Sequence, residues 1–262
     1  MSFFRRLQIN LDDVRRYGPQ FLKRHLPRIT GADTAVIRAG SQAIHVRAGE
    51  SDTAAIRGVF GARQYELGLP ELKRRVNDRY DAIIRSGEVP VIVDAGANIG
   101  AASLWFKANY PRSAVVAVEP EPGNFGVLSR NASLAQSIFP IQAAIGSEPG
   151  FVTIQAGDLG WATRVERAST GLPIITMQQA FASVPRGTPF IAKIDIEGFE
   201  QELFSKNTEW LADLAVVHIE PHDWMVPGKG TSLSFQKAIA NFDFELFLAG
   251  EVLTYVRHGS FD

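Results

Sequence analysis

The sequence predicts an α/β domain with a mostly parallel sheet covered on both faces, and three observations carry that reading. From Pro90 onward, short continuous apolar runs alternate with segments of helical character. These runs lack the apolar–polar alternation of a strand with one wet face, as expected for strands buried between two helix layers. A glycine-rich turn, Asp94-Ala95-Gly96-Ala97-Asn98-Ile99-Gly100, joins the first such run to the first helix.

Residues 1–89 read as an α+β extension, and residues 90–262 as the main domain. Arg5, Arg6, Arg15, Arg16, Lys23, Arg24 and Arg28 make the N-terminus basic, against Asp12 and Asp13. Leu11, Val14, Phe21, Leu22 and Leu26 fall roughly on one helical face, which suits either a helix packed on its own domain or weak contact with a membrane surface. Pro19 limits the length of that helix. AVIRAGSQAIHVRA (35–48) predicts a hairpin around Gly40-Ser41, Ser51 or Asp52 caps a short helix, and Glu71 to Arg85 is helical.

In the main domain, VIVDAG is a buried strand and AASLWFKANY a helix stopped by Pro111. AVVAVEP and Ile138 to Ile145 are the second and third strands, with NFGVLSRNASL a helix between them. FVTIQ is β-rich, and PIITMQQAF runs from strand into helix. PFIAKIDIEG and LAVVHIEP are the fourth and fifth strands, followed by the helices FEQELFSKN and SFQKAIANF respectively. FELFLAG and VLTYVRH close the chain as an antiparallel hairpin around Gly250.

Composition narrows the function. Of 262 residues, 45% are hydrophobic and 21% charged, the balance of a globular protein, and the formal net charge of −1 supplies no field to recruit nucleic acid. With no cysteine there is no disulfide, thiolate zinc site or cysteine nucleophile. The sequence shows neither a secretory signal nor an apolar stretch near the ~20 residues that span a bilayer, so a cytoplasmic location is expected.

The glycine turn lies where nucleotides bind in doubly wound α/β folds, at a helix N-terminus with free N–H groups. It departs from G-x-G-x-x-G: Asn98 takes the middle position, which a residue tolerant of left-handed backbone can do. Asp94, just before the turn, suits a ligand with a cationic amino-acid end. Glu119, nineteen residues after Gly100, is placed to accept hydrogen bonds from two ribose hydroxyls. Lys193, Asp195 and Glu197 share one side of the fourth strand if it stays extended, and His218-Ile219-Glu220-Pro221-His222-Asp223-Trp224 follows the fifth. Each set also has a plain reading, as an ion pair with a helix cap and as a polar loop.

Taken in order, VDAGANIG, VEPEPGNF, KIDIEGFE and HIEPHDW resemble the motifs of FkbM-type methyltransferases, and SDTAAIRGVFGARQYE resembles a lead-in found there. The resemblance covers roughly residues 45 to 225. It implies a Rossmann-like class I methyltransferase fold, a seven-stranded sheet with an antiparallel final strand. It also implies S-adenosylmethionine (SAM) as cofactor and O-methylation of a saccharide or other small biosynthetic intermediate. Carried over by position, Asp94, Gly96, Ala97, Asn98, Gly100, Glu119 and Pro120 hold SAM, with Ala143 and Ala144 beside the adenine, since IQAAIGSE offers no Asp there. Asp195 is then the first choice for the base that takes the hydroxyl proton, with Glu197 or His222 next and Lys193 orienting the acid. A divalent metal bound by Asp195, Glu220, His222 or Asp223 would serve the same end, but their spacing matches no recognised metal motif, so no metal is expected. Trp161 and Trp224 offer flat surfaces for a sugar ring, and the extension is expected on the acceptor side. An NAD-dependent oxidoreductase and a non-catalytic SAM-binding or membrane-peripheral scaffold are the alternatives.

Overall fold

A computed structural model describes residues 3–48, 51–156, 163–225 and 227–259. The extension begins with α1 (Phe3–Tyr17), a 3-10 segment from Pro19 to His25 and α2 (Leu26–Thr30). The hairpin β1 (Ala35–Ala39) and β2 (Gln42–Val46) turns at Gly40, and α3 (Asp52–Ile56) and α4 (Pro70–Arg85) lead into the main domain. Neither expected cap forms at α3: Ser51 makes no side-chain cap, and Asp52 is buried against Arg47 instead. The apolar residues near the N-terminus do not form one face either, because Phe21 is fully buried while Leu11, Leu22 and Leu26 are exposed. Arg24, part of the basic run by sequence, is also buried, paired at 2.7 Å with buried Asp13.

The main domain then runs β3 (Val89–Ala95), α5 (Ala101–Asn109), β4 (Ala114–Val118), α6 (Pro122–Ala132) and β5 (Ile138–Ile141). Next come β6 (Ala144–Gly146), β7 (Gly150–Ala156), β8 (Thr163–Ala168), β9 (Leu172–Thr176) and α7 (Met177–Ala182). It closes with β10 (Gly187–Ile194), α8 (Glu200–Leu203), β11 (Val216–Ile219), α9 (Leu233–Ile239), β12 (Phe244–Ala249) and β13 (Val252–Arg257). The seven-stranded sheet has the order β12-β13-β11-β10-β3-β4-β5, parallel except for β13, which runs antiparallel to both its neighbours. The apolar runs of β3, β4 and β11 are buried throughout or nearly so, which is why they carry no polar alternation.

Each face of this sheet has its own core. On one, Phe21, Ile37, Ile44 and Ile56 of the extension join Phe106, Leu128 and Phe190 in a single cluster. On the other, Met177, Phe181, Phe204, Trp210 and Phe235 pack over β3, β10 and β11. Full burial of one such side chain stabilises the fold by about 1.5–3 kcal/mol. Among the described residues, no helix is long and apolar enough to cross a membrane.

Three expectations need correction. Ile138 to Ile145 is two strands: β5 stays in the main sheet, while β6 pairs with β9 in a second sheet of order β6-β9-β7-β8. The segment FEQELFSKN forms only the single turn α8. β10 ends at Ile194, so strand alternation does not carry Glu197 to the side of Lys193 and Asp195.

Candidate active site

The sheet winds outward from β3 through β4 to β5, then restarts at β10 on the other side of β3 and continues to β11. Loops leaving the carboxyl ends of β3 and β10 therefore diverge and open a crevice, the usual ligand position in such sheets. The glycine turn forms its floor. Gly96 (φ 74°) has no room for a side chain, since a Cβ would stand 1.7 Å from the Asp195 carbonyl oxygen. Asn98 takes the left-handed conformation the sequence allowed for (φ 51°), and its N–H donates to Glu119 Oε2 at 2.8 Å.

The cleft encloses about 630 Å³ with its open mouth included. Gly96, Asn98, Glu119, Pro120, Ala143, Ala144, Asp195 and Glu197, all marked by sequence, line it together with Asn124, Ile145, Val165, Ile196 and Phe199. Ala97, Gly100, Asp94, Lys193 and His222 lie outside the lining. Glu119 is 5% exposed and accepts from the Asn98 and Glu121 backbone N–H groups. Burial pushes its carboxyl up to about 7, against the pull of those hydrogen bonds.

Asp94 and Lys193 sit behind the floor. Lys193 Nζ lies 3.0 Å from Asp94 Oδ1 and 3.6 Å from Asp195 Oδ2, and it donates to the Gly96 carbonyl at 2.6 Å. Ser103 Oγ donates to the other Asp94 oxygen at 2.6 Å. Thus Asp94 neutralises a buried lysine, and Lys193 clamps the turn to β10. The ion pair that the sequence offered as its plain reading is present, and it fixes the floor of the cleft.

A second ionic group meets the cleft wall. His222 is 2% exposed, and its Nδ1 lies 2.7 Å from Oε1 of Glu200, which is fully buried. Its Nε2 faces Asp195 Oδ1 at 3.5 Å and Glu197 Oε2 at 3.8 Å. Burial opposes charge on the imidazole, but Glu200, Asp195 and Glu197 outweigh it and push His222 up to about 9. Burial and the neighbouring Asp195 push Glu197 and Glu220 up to about 7. One donor atom each of Asp195, Glu197 and His222 lie within 4.8 Å of one another, near enough to share a cation. The sequence marked all three as candidates for the base; Asp195 and Glu197 share the loop after β10, and His222 follows β11. The imidazolium already supplies a cation there, and a divalent ion would have to displace its proton.

Glu200 is the residue that sequence reasoning missed. It stood in a segment read only as a helix, just after the acidic loop. Asn124 was hidden in the same way within EPGNF. Trp224 is 54% exposed, its ring centroid 6.5 Å from that of His222, while Trp161 falls outside the described residues.

The strand order, the antiparallel β13 and the cleft at the switch point define a Rossmann-like domain of the class I methyltransferase type. The chain belongs to the FkbM methyltransferase family: the FkbM methyltransferase domain matches residues 94–261, more than half of its length. A methyltransferase of Sordaria araneosa is 48% identical over 54 residues, 21% of each chain. The hexuronic acid methyltransferase AglP of Haloferax volcanii is 28% identical over 153 residues, 56% of this chain and 62% of that one. The chain thus spans less than two thirds of the length of either relative. A solved FkbM methyltransferase from Methylobacillus flagellatus aligns over 64% of this chain and 43% of its own, with 15% identity and a TM-score of 0.43.

Proposed function

We propose that the chain is a SAM-dependent O-methyltransferase acting on a hydroxyl of a saccharide or another small biosynthetic intermediate. The observation that carries this reading is one cleft that brings Glu119 and the glycine turn together with the acidic loop of Asp195 and Glu197. The glycine turn packs directly against Asp195. The fit to SAM is supported by Asn98 Oδ1, a buried oxygen that has no hydrogen-bond partner among the described residues, belongs to a residue lining the cleft and can accept from a ligand donor. Glu119 would hold the ribose hydroxyls, and Ala143, Ala144, Val165 and Phe199 would enclose the base. When bound, SAM supplies an electrophilic methyl group on a cationic sulfur.

The chain's own residues must orient the acceptor and take its proton, because a sugar hydroxyl is a poor nucleophile until that proton leaves. Asp195 was the first choice by sequence, but its two oxygens face Lys193 and His222. Glu197 is better suited. It lines the cleft, its buried Oε2 has no hydrogen-bond partner among the described residues and stands 3.8 Å from His222 Nε2, and its pKa near 7 matches a base working at neutral pH. Glu197 would accept the proton as the acceptor oxygen bonds the methyl carbon. Lys193 and His222 hold the Asp195 side chain in place at the cleft wall, 3.6 Å and 3.5 Å from its two oxygens.

Hexuronic acid is what the name of the Haloferax relative states, and it favours a sugar among hydroxyl acceptors. Methyl-labelled SAM incubated with separate extracts of glycans, small metabolites, protein and RNA tests the acceptor class. Label is expected in the glycan or metabolite fraction as an ether, and label confined to protein or RNA contradicts the proposal.

A further inference from the structure

Resting on the SAM reading of the cleft, we propose that Arg47 of the extension is a positioning residue of the cofactor pocket, acting through Asn124. Arg47 follows directly on β2 and lies outside the residues matched to the family domain. Its guanidinium is fixed by Asp52, which is fully buried: Nε donates to Oδ2 at 3.2 Å and Nη2 to Oδ1 at 2.7 Å. The Arg47 backbone N–H adds a third bond to Oδ2 at 2.8 Å. From this anchored position Nη2 also donates to Asn124 Oδ1 at 2.7 Å.

That last bond decides which way the amide faces. With Oδ1 turned to Arg47, the Asn124 NH₂ group turns to Glu119, 3.5 Å from Oε1, at the cleft wall. Flipped, the amide would set its oxygen against a carboxylate, and the cleft would meet two acceptors in place of a donor beside an acceptor. A hydroxyl needs both, since it donates its proton to Glu119 while its oxygen accepts from Asn124. The chain Asp52–Arg47–Asn124–Glu119 therefore carries order from the extension into the proposed ribose site.

The test is calorimetric titration with SAM of the full-length wild type, Arg47→Ala, Asn124→Ala and the double variant, each shown folded by thermal melting. Arg47→Ala should weaken binding about fivefold, as expected for neighbours coupled in one hydrogen-bond network. Arg47→Lys keeps the charge but not the planar fork, and should bind as weakly. The double variant should bind no more weakly than Asn124→Ala alone, a non-additivity that general loosening of the fold would not produce. If Arg47→Ala leaves Asp52 unpaired and misfolds, Arg47→Ala with Asp52→Ala takes its place in the same comparison. Wild-type affinity in the Arg47 variants, or losses that multiply in the double variant, overturn the proposal. A wild type that binds no SAM fails the cofactor reading first, and the proposal falls with it.

Discussion

Glu197 stands on left-handed backbone (φ 53°) with Gly198 at φ 95° behind it, a conformation that costs a non-glycine residue on the order of 1 kcal/mol or more. Such strain persists where the surroundings fix it, and here it sets the carboxylate into the cleft wall. Glu197→Gln should lower turnover by ~10²–10⁴ while SAM binding is largely kept. In the wild type, kcat/KM should rise as Glu197 loses its proton near pH 7 and fall as His222 loses its own near pH 9. Near-normal turnover in Glu197→Gln would return the base to Asp195. At this scale the sequence was informative where backbone chemistry and spacing speak, as at Gly96, Asn98 and Glu119. It was silent on Glu200, because a buried carboxylate that orients a histidine 22 residues away leaves no local pattern.

Besides the shared core cluster, one buried amide ties the hairpin of the extension to the main domain. Asn131 of α6, fully buried, donates to the His45 carbonyl at 3.1 Å and the Ile99 carbonyl at 2.7 Å, and accepts from the His45 N–H at 2.7 Å. Asn131→Ala leaves these backbone groups without that partner and should cost about 1–3 kcal/mol, read by denaturant unfolding. A loss under about 0.5 kcal/mol would mean that other contacts hold the hairpin in place. Elements were legible where period and punctuation agree: the turn at Gly40, the stop near Pro111 and the hairpin at Gly250 all stand where the residues put them. The split between β5 and β6 was not legible, since an apolar run records burial but not which of two sheets buries it. β8 was missed for the opposite reason. TRVERA is polar, and β8 is an outer strand whose ladder lies with β7.

Across the whole molecule, the site concentrates carboxylates that are costly to ionise without a bound cation. Glu119, Glu197 and Glu220 are all pushed up to about 7, so each contributes stability while protonated and loses it as pH rises from about 4.5 through 7. His222, raised to about 9, contributes below about 6.5 and loses that contribution as pH passes 9. Both effects have the same sign, so the melting temperature of the ligand-free protein should fall from about pH 5 to pH 9. SAM should flatten the fall, because a cationic ligand favours the ionised carboxylates. A melting temperature that rises across this range would mean that the cluster does not govern pH stability.

The central claim is that the cleft between the glycine turn and Glu119 takes SAM rather than a dinucleotide. Calorimetric titration of the wild type and Glu119→Ala with SAM and NAD, side by side, tests it most directly. Each hydrogen bond to a charged acceptor is worth ~1.5–3 kcal/mol, so losing two should weaken SAM binding at least tenfold. SAM should bind the wild type and NAD should not, with that tenfold loss in a variant that remains folded. Binding of NAD but not SAM, or unchanged SAM affinity in Glu119→Ala, would contradict it.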